Sequence, residues 1–177
     1  GYAGWRNSTY LFLMRKFPTE AQHPDPAWQG SVVRSYRPLG HTGIQMSDIS
    51  FGGAGIDNPE VVTRAVARGI NYFDTSPDYS KTGSEQTIGK ALKAHRDKVF
   101  IASKFCTAEG HLPVDAPVSD IIKAVDGSLE RLQTDYLDVC IIHEVNSIDR
   151  LMAPTFHEAF DRLKAQGKVR FLGVSSH

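Results

Sequence analysis

Tyr136-Leu137-Asp138-Val139-Cys140-Ile141-Ile142-His143 decides the fold of this chain, together with the helix that runs into it. The stretch is a near-continuous apolar run that stops at a histidine, and it reads as a strand. Just upstream, Val118, Ile121, Ile122, Val125, Leu129 and Leu132 fall on one face at i, i+3, i+4, i+7 spacing. That is the pattern of an amphipathic helix. Downstream, Phe156, Ala159, Phe160 and Leu163 form another helical stripe that ends at Gly167, and Val169 to Val174 is a further strand. Strand and helix alternating at this spacing predict parallel βαβ units.

The alternation continues toward the start of the chain. Asp48 to Gly52 reads as a first strand running into a Gly-rich turn. Asn58-Pro59-Glu60 opens a helix with a cap, a proline at the first position and an acid in the first turn. That helix is expected to run to Gly69, a C-terminal cap. Ile70 to Phe73 is the second strand, Ser84 to Thr87 begins the second helix, and Val99 to Phe105 is the third strand. Before all of these, Val32 to Leu39 and Ile44 to Ile49 flank Gly40-His41-Thr42-Gly43, a hairpin signal. Residues 1–33 show no sustained period and are rich in aromatics and prolines, so an irregular N-terminal arm is expected there, with the folded domain over 34–177. Two α/β architectures compete, an open doubly wound sheet and a closed (β/α)8 barrel. A barrel takes about 250 residues, so a barrel reading of this chain is partial: a hairpin, four βα units and a fifth strand.

Composition narrows the function. The chain has 177 residues, 41% hydrophobic and 23% charged, with 20 Lys+Arg against 20 Asp+Glu. These are the proportions of an ordinary globular domain. Zero formal charge gives no electrostatic reason to expect nucleic acid or an anionic membrane as partner. Cys106 and Cys140 cannot form a disulfide framework, which favours a reducing compartment, the cytoplasm. No apolar run approaches the ~20 residues of a membrane span, and Tyr10 to Met14 is too short for a signal-peptide core. The chain begins with Gly1, so a processed, tagged or excised product is expected.

Four of the strands end in a reactive polar group: Asp74, Lys104, His143 and Ser175. In parallel α/β folds the carboxyl edge is where sites are built, so these groups are expected to converge, and Tyr79 on the loop after Asp74 reaches the same space. A phenol has a reference pKa near 10, and a neighbouring ammonium stabilises its phenolate. Lys104 would supply that charge, Asp74 would hold and aim it, and His143 would hydrogen-bond a substrate oxygen. No nucleophile stands beside a base, which argues against acyl transfer. The set suits protonation of a carbonyl oxygen while the carbon accepts hydride, and hydride chemistry needs a cofactor.

Gly69-Ile70-Asn71-Tyr72-Phe73-Asp74-Thr75-Ser76-Pro77-Asp78-Tyr79 resembles the signature of the aldo-keto reductases. So do Ser84-Glu85, Gly89-Lys90-Ala91-Leu92, Ser103-Lys104, Tyr136-Leu137-Asp138 before His143, and Gly167-Lys168-Val169-Arg170. Arg37-Pro38-Leu39-Gly40 with Thr42-Gly43 resembles that family's opening hairpin. The likeness covers residues 36–177, about four fifths of the chain, and Gly173 to His177 with His143-Glu144-Val145-Asn146 look most like a bacterial branch. Some members of that branch carry an iron–sulfur segment, for which this chain has no cysteine cluster.

The resemblance implies a (β/α)8 barrel and NADPH-dependent reduction of a small-molecule aldehyde or ketone, with NADH as the other candidate reductant. It implies Tyr79 as general acid, Lys104 and Asp74 as the pair that tunes it, and His143 as the histidine that orients the carbonyl. Gly53 and Ala54 fall where the family backbone approaches the nicotinamide ribose. Ser175 and Ser176 fall where a Ser-Asn pair binds the carboxamide, with Ser176 in place of the usual Asn. The family's sixth to eighth strands, whose late loops grip the dinucleotide phosphates, have no counterpart here, so a fragment cut after the fifth barrel strand is expected. Two other outcomes are carried beside the enzyme: a non-catalytic nicotinamide-binding regulatory subunit, and an inert fragment. The oligomeric state is left open.

Gly52-Gly53-Ala54-Gly55 lacks the full G-x-G-x-x-G spacing. His111, His157 and His177 have no metal-like spacing, so no metal site is expected and the three are read as solvated. Cys106 is read as a small buried hydrophobe, and Glu144 as a solvated carboxylate.

Overall fold

The computed structural model describes residues 30–176. The expected irregular arm, through residue 29, and His177 lie outside the described residues.

The hairpin forms first along the chain. Strand β1 (Tyr36–Pro38) pairs antiparallel with β2 (Gln45–Ser47). Both strands are shorter than the apolar pattern suggests, because their flanks bond elsewhere. Val33 N–H donates to Arg68 O, and Ser47 Oγ donates to Ile49 O. Asn71 fastens the hairpin to the sheet: its Oδ1 accepts from Ser47 N–H at 2.7 Å and its Nδ2 donates to Gln45 O at 2.9 Å.

The main sheet takes β3 (Phe51–Gly52), β4 (Tyr72–Asp74) and β5 (Phe100–Lys104). A small antiparallel hairpin of β6 (Cys106–Thr107) and β7 (Gly110–His111) interrupts before β8 (Leu137–Ile142) and β9 (Val169–Val174). The helices are α1 (Pro59–Ala67), α2 (Gly83–Leu92), α3 (Val118–Leu132), the short α4 (Ile148–Leu151) and α5 (Pro154–Ala165). Helix α1 stops two residues before Gly69. Gly69 sits at φ +93 just beyond it, with Ile70 N–H bonded to Ala65 O and Gly69 N–H to Val66 O, a Schellman closure.

Strand order settles the architecture. The five strands lie side by side as β3-β4-β5-β8-β9, all parallel. Each new strand joins the same growing edge. A doubly wound sheet reverses direction at a switch point, and this sheet has no reversal. The winding is that of a (β/α)8 barrel, in part, which removes the open-sheet alternative.

The two faces of the sheet are packed unequally. Phe73, Ile101, Cys140 and Ile142 point to the helical layer and join Ile88, Leu92, Ile121, Val125, Phe156 and Leu163 in one large core. Side chains alternate along a strand, so Tyr72 and Asp74, Ala102 and Lys104, Val139 and Ile141, and Phe171 share the inner face. There only Ala102, Val139 and Ile141 form a buried cluster, with Leu39, Tyr72 and Phe171 against it. The two-residue period carries that inner row to Asp74, Lys104, His143 and Ser175 at the carboxyl end.

Candidate active site

Register explains how four strands bring one group each to the same place. Asp74 pairs with Ala102, so Lys104 stands two residues higher; Lys104 pairs with Ile141, so His143 stands two higher again. This climb is the stagger of barrel strands. The lysine reaches back down it.

Lys104 Nζ donates to Asp74 Oδ1 at 2.7 Å and to Thr75 O at 2.9 Å. Its side chain is 3% exposed, so the cation is desolvated against one carboxylate. Nζ lies 4.6 Å from the centroid of the Tyr79 ring. The His143 ring stands edge-on to Tyr79, with centroids 6.4 Å apart. The Tyr79 hydroxyl makes no hydrogen bond to any described residue. The strand-end aspartate, lysine and histidine, with the tyrosine of the loop after Asp74, are therefore gathered at one end of the sheet.

His143 is fixed from behind. Its Nδ1 lies 3.0 Å from Ser175 Oγ, which also accepts from Glu144 N–H at 3.2 Å. Burial, then the Lys104 charge, lower its pKa to about 4, against opposing pulls from Asp78 and Glu144. The imidazole is neutral at pH 7 and serves as a hydrogen-bond partner rather than a cation. Arg150 locks the loop behind it, with Nε donating to His143 O at 2.7 Å and Nη1 to Leu112 O at 2.9 Å.

The expected cofactor residues lie at both edges of the sheet. Gly53 is buried, and its backbone is occupied within the fold: its N–H donates to Asp74 O at 2.8 Å and its oxygen accepts from Ser84 Oγ at 2.7 Å. A Cβ there would come within 2.8 Å of Asp74 O, Ile88 and Ser84, so the glycine is required by close packing of β4 and α2. Ala54 is exposed beside it. At the far edge Ser176 is exposed, while the Ser175 hydroxyl is already engaged with His143.

His111 extends one expectation. It is exposed, as expected, but it also lies at the site, its ring centroid 4.4 Å from that of His143. Its Nδ1 is 2.6 Å from Glu144 Oε2 and its Nε2 is 3.5 Å from Asp78 Oδ2. Glu144 is likewise paired rather than simply solvated. His157 also has a partner, Leu151 O at 2.7 Å. Cys106 is fully buried, and burial, with Asp78 next, pushes its thiol up to about 11. No periodic signal marks the β6–β7 hairpin that delivers His111, because each strand is two residues long. The Ser175–His143 contact joins strand ends 32 residues apart and leaves no local pattern.

A family model described as "Aldo/keto reductase family" matches residues 53–177. The chain is 37% identical over 156 residues to L-galactose dehydrogenase of Arabidopsis thaliana, covering 78% of this chain and 47% of that protein. It is 38% identical over 111 residues to methylglyoxal reductase YeaE of Escherichia coli, covering 61% and 35%. Among solved structures, aldo-keto reductase AKR11C1 from Bacillus halodurans (holo form) superposes with a TM-score of 0.69 at 32% identity, covering 80% of this chain and 50% of that one. The chain spans about half the length of the curated relatives it matches. Among the described residues no helix is long and apolar enough to cross a membrane.

Proposed function

The chain belongs to the aldo/keto reductase family, and from that premise we propose that it carries the proton-transfer site of an NADPH-dependent enzyme reducing a small aldehyde or ketone to an alcohol. The observation that supports this most directly is the desolvated Lys104, paired with Asp74 beneath the Tyr79 ring and facing His143. The names of its relatives, a galactose dehydrogenase and a methylglyoxal reductase, agree with a polar carbonyl or its alcohol as the substrate class.

A reduced nicotinamide, when bound, supplies the hydride. The side chains supply the rest. Tyr79 gives its phenolic proton to the carbonyl oxygen as negative charge develops there. The Lys104 ammonium stabilises the charge left on the phenol, and in a desolvated setting that stabilisation is large. Asp74 Oδ1 and Thr75 O hold the ammonium in place. Ser175 Oγ accepts from Glu144 N–H, so its own hydrogen is available to His143 Nδ1. That leaves Nε2–H as the donor to the carbonyl oxygen.

The residues fit a nicotinamide in part. Ala54 and Ser176 are exposed at the carboxyl end of the first and last strands, flanking Asp74 and His143. With Ser175 engaged behind the histidine, contact to a carboxamide falls to Ser176 and neighbouring backbone. NADPH is preferred here over NADH by family resemblance alone.

The test is cofactor oxidation, followed by absorbance, with a panel of aldehydes, ketones and hydroxy-aldehydes in the presence of NADPH or NADH. Turnover that disappears in Tyr79→Phe supports the reading. Cofactor binding with no turnover across the panel would overturn it in favour of a regulatory nicotinamide-binding role.

A further inference from the structure

Beside the catalytic set lies a second group of side chains that carbonyl reduction does not use. Asp78, Cys106 and His111 each present one ligand atom, and the three atoms lie within 4.8 Å of one another. From this group we infer that the chain binds a divalent transition metal of the zinc class at the mouth of the site, through the Asp78 carboxylate, the Cys106 thiolate and the His111 imidazole.

Three independent features support the inference. First, the β6–β7 hairpin pairs Cys106 directly with His111 in register. Cross-strand partners project to the same face, so the hairpin presents a sulfur and an imidazole side by side. Second, Asp78 Oδ1 is buried and has no hydrogen-bond partner, and a buried carboxylate oxygen left unpaired is costly. A cation would satisfy it. Third, the Glu144 carboxylate sits 2.6 Å from His111 Nδ1, leaving Nε2 as the nitrogen that faces the other Asp78 oxygen, Oδ2, at 3.5 Å, with His143 Nε2 3.8 Å from that same oxygen. A carboxylate behind a histidine whose other nitrogen faces the metal is the usual outer arrangement of metal-bound imidazoles.

The donor set also selects the ion. One sulfur, one nitrogen and one carboxylate oxygen suit zinc or cobalt and not calcium or magnesium, which take oxygen ligands. Around a tetrahedral zinc, ligand atoms stand roughly 3.3–3.8 Å apart, so the three atoms need to close by about an ångström or less. Three protein ligands leave a fourth position open. On binding, the Cys106 thiol gives its proton to solvent and the sulfur–metal bond forms; nothing is oxidised or reduced. The inference does not depend on the reductase reading, because it concerns binding alone.

Cobalt(II) is the probe, because a thiolate–cobalt bond produces a charge-transfer band in the near ultraviolet and tetrahedral cobalt absorbs strongly in the visible. The unmodified chain, titrated with micromolar cobalt chloride, should develop both at one equivalent and lose both when zinc is added. Cys106→Ser should lose the charge-transfer band entirely. His111→Ala should keep the band but bind at least tenfold more weakly. Cys140→Ser, altering a cysteine buried elsewhere in the sheet, should behave as the unmodified chain. The competing reading is that Asp78, His111 and Glu144 satisfy one another with no metal between them. In that case the folded unmodified chain shows no band, and the inference falls whatever any variant does. It falls equally if the band survives in Cys106→Ser.

Discussion

The two ends of β8 hold buried charge in opposite ways. Near the amino end, Asp138 is 1% exposed and fully partnered: Oδ2 accepts from Arg96 Nη2 at 2.8 Å and Ile101 N–H at 3.0 Å, and Oδ1 accepts from Arg170 Nη1 at 2.6 Å. Just past the carboxyl end, His143 belongs to a group with capacity to spare. There the Tyr79 hydroxyl is unbonded among the described residues and Asp78 Oδ1 has no partner. Both ends bury charge, and burial alone does not mark function. A charge whose oxygens are both bonded by protein is a structural tie; one with vacant donors and acceptors around it has room for a ligand.

The largest expected effect tests the carboxyl end. Tyr79→Phe should lower kcat by ~10²-fold or more, since a general acid typically contributes 10²–10⁴-fold, while the thermal midpoint stays within a degree or two. A variant that keeps full turnover would remove Tyr79 as the proton donor. A variant that loses turnover only because it unfolds would make the two ends alike. Asp138→Asn is the reciprocal experiment. Removing one partner of a buried pair costs about 3–5 kcal/mol, and the lower end applies because Arg170 is 43% exposed. Urea unfolding should show a loss of about 3 kcal/mol, with kcat per folded molecule unchanged. If kcat fell tenfold instead, the amino end would be acting on chemistry.

A smaller effect should follow from Ser175→Ala. It removes the contact that fixes the His143 ring, worth about one hydrogen bond or 1–1.5 kcal/mol, hence roughly tenfold in kcat/KM. Ser175→Thr, which keeps a hydroxyl, should restore most of it. Equal loss in both variants would assign Ser175 to packing rather than to orientation of the imidazole.

These cases show why the sequence disclosed one end of β8 more readily than the other. Asp74, Lys104 and His143 each close an apolar run, so strand ends announce them, and the parallel alternation says they meet. Val169–Val174 and the helix start at Pro59 were legible for the same reason: apolar period and capping chemistry are local. Asp138 sits inside an apolar run, and its partners come from a 3₁₀ turn at Lys93–Lys98 and from β9. Nothing within a few residues signals that tie. His111 is hidden likewise, on a hairpin too short for any period, and its neighbours Asp78 and Glu144 arrive from two other loops. What is read from pattern is the backbone's course; what is lost is contact between segments distant in sequence.

The finest test uses Tyr72, which points into the inner face between the two ends. Its phenol is pushed up to about 12, first by burial, then by the Asp74 charge, then by Asp138. Raising an acid's pKa on folding means the unfolded chain loses that proton first. Stability is therefore whole below pH 10 and declines as pH rises from 10 toward 12. The ultraviolet tyrosinate difference between the unmodified chain and Tyr72→Phe should report titration of this phenol near 12. Because Asp74 acts more strongly than Asp138, Asp74→Asn should lower that value further than Asp138→Asn does. The same order should follow from the partners: the charge of Asp138 is shared between two guanidinium groups, whereas Asp74 answers to Lys104 alone. Equal shifts in the two variants would mean that the saturated carboxylate projects as much field across the sheet as the unsaturated one, and the distinction drawn between the ends of β8 would then lie in hydrogen-bond count and not in electrostatics.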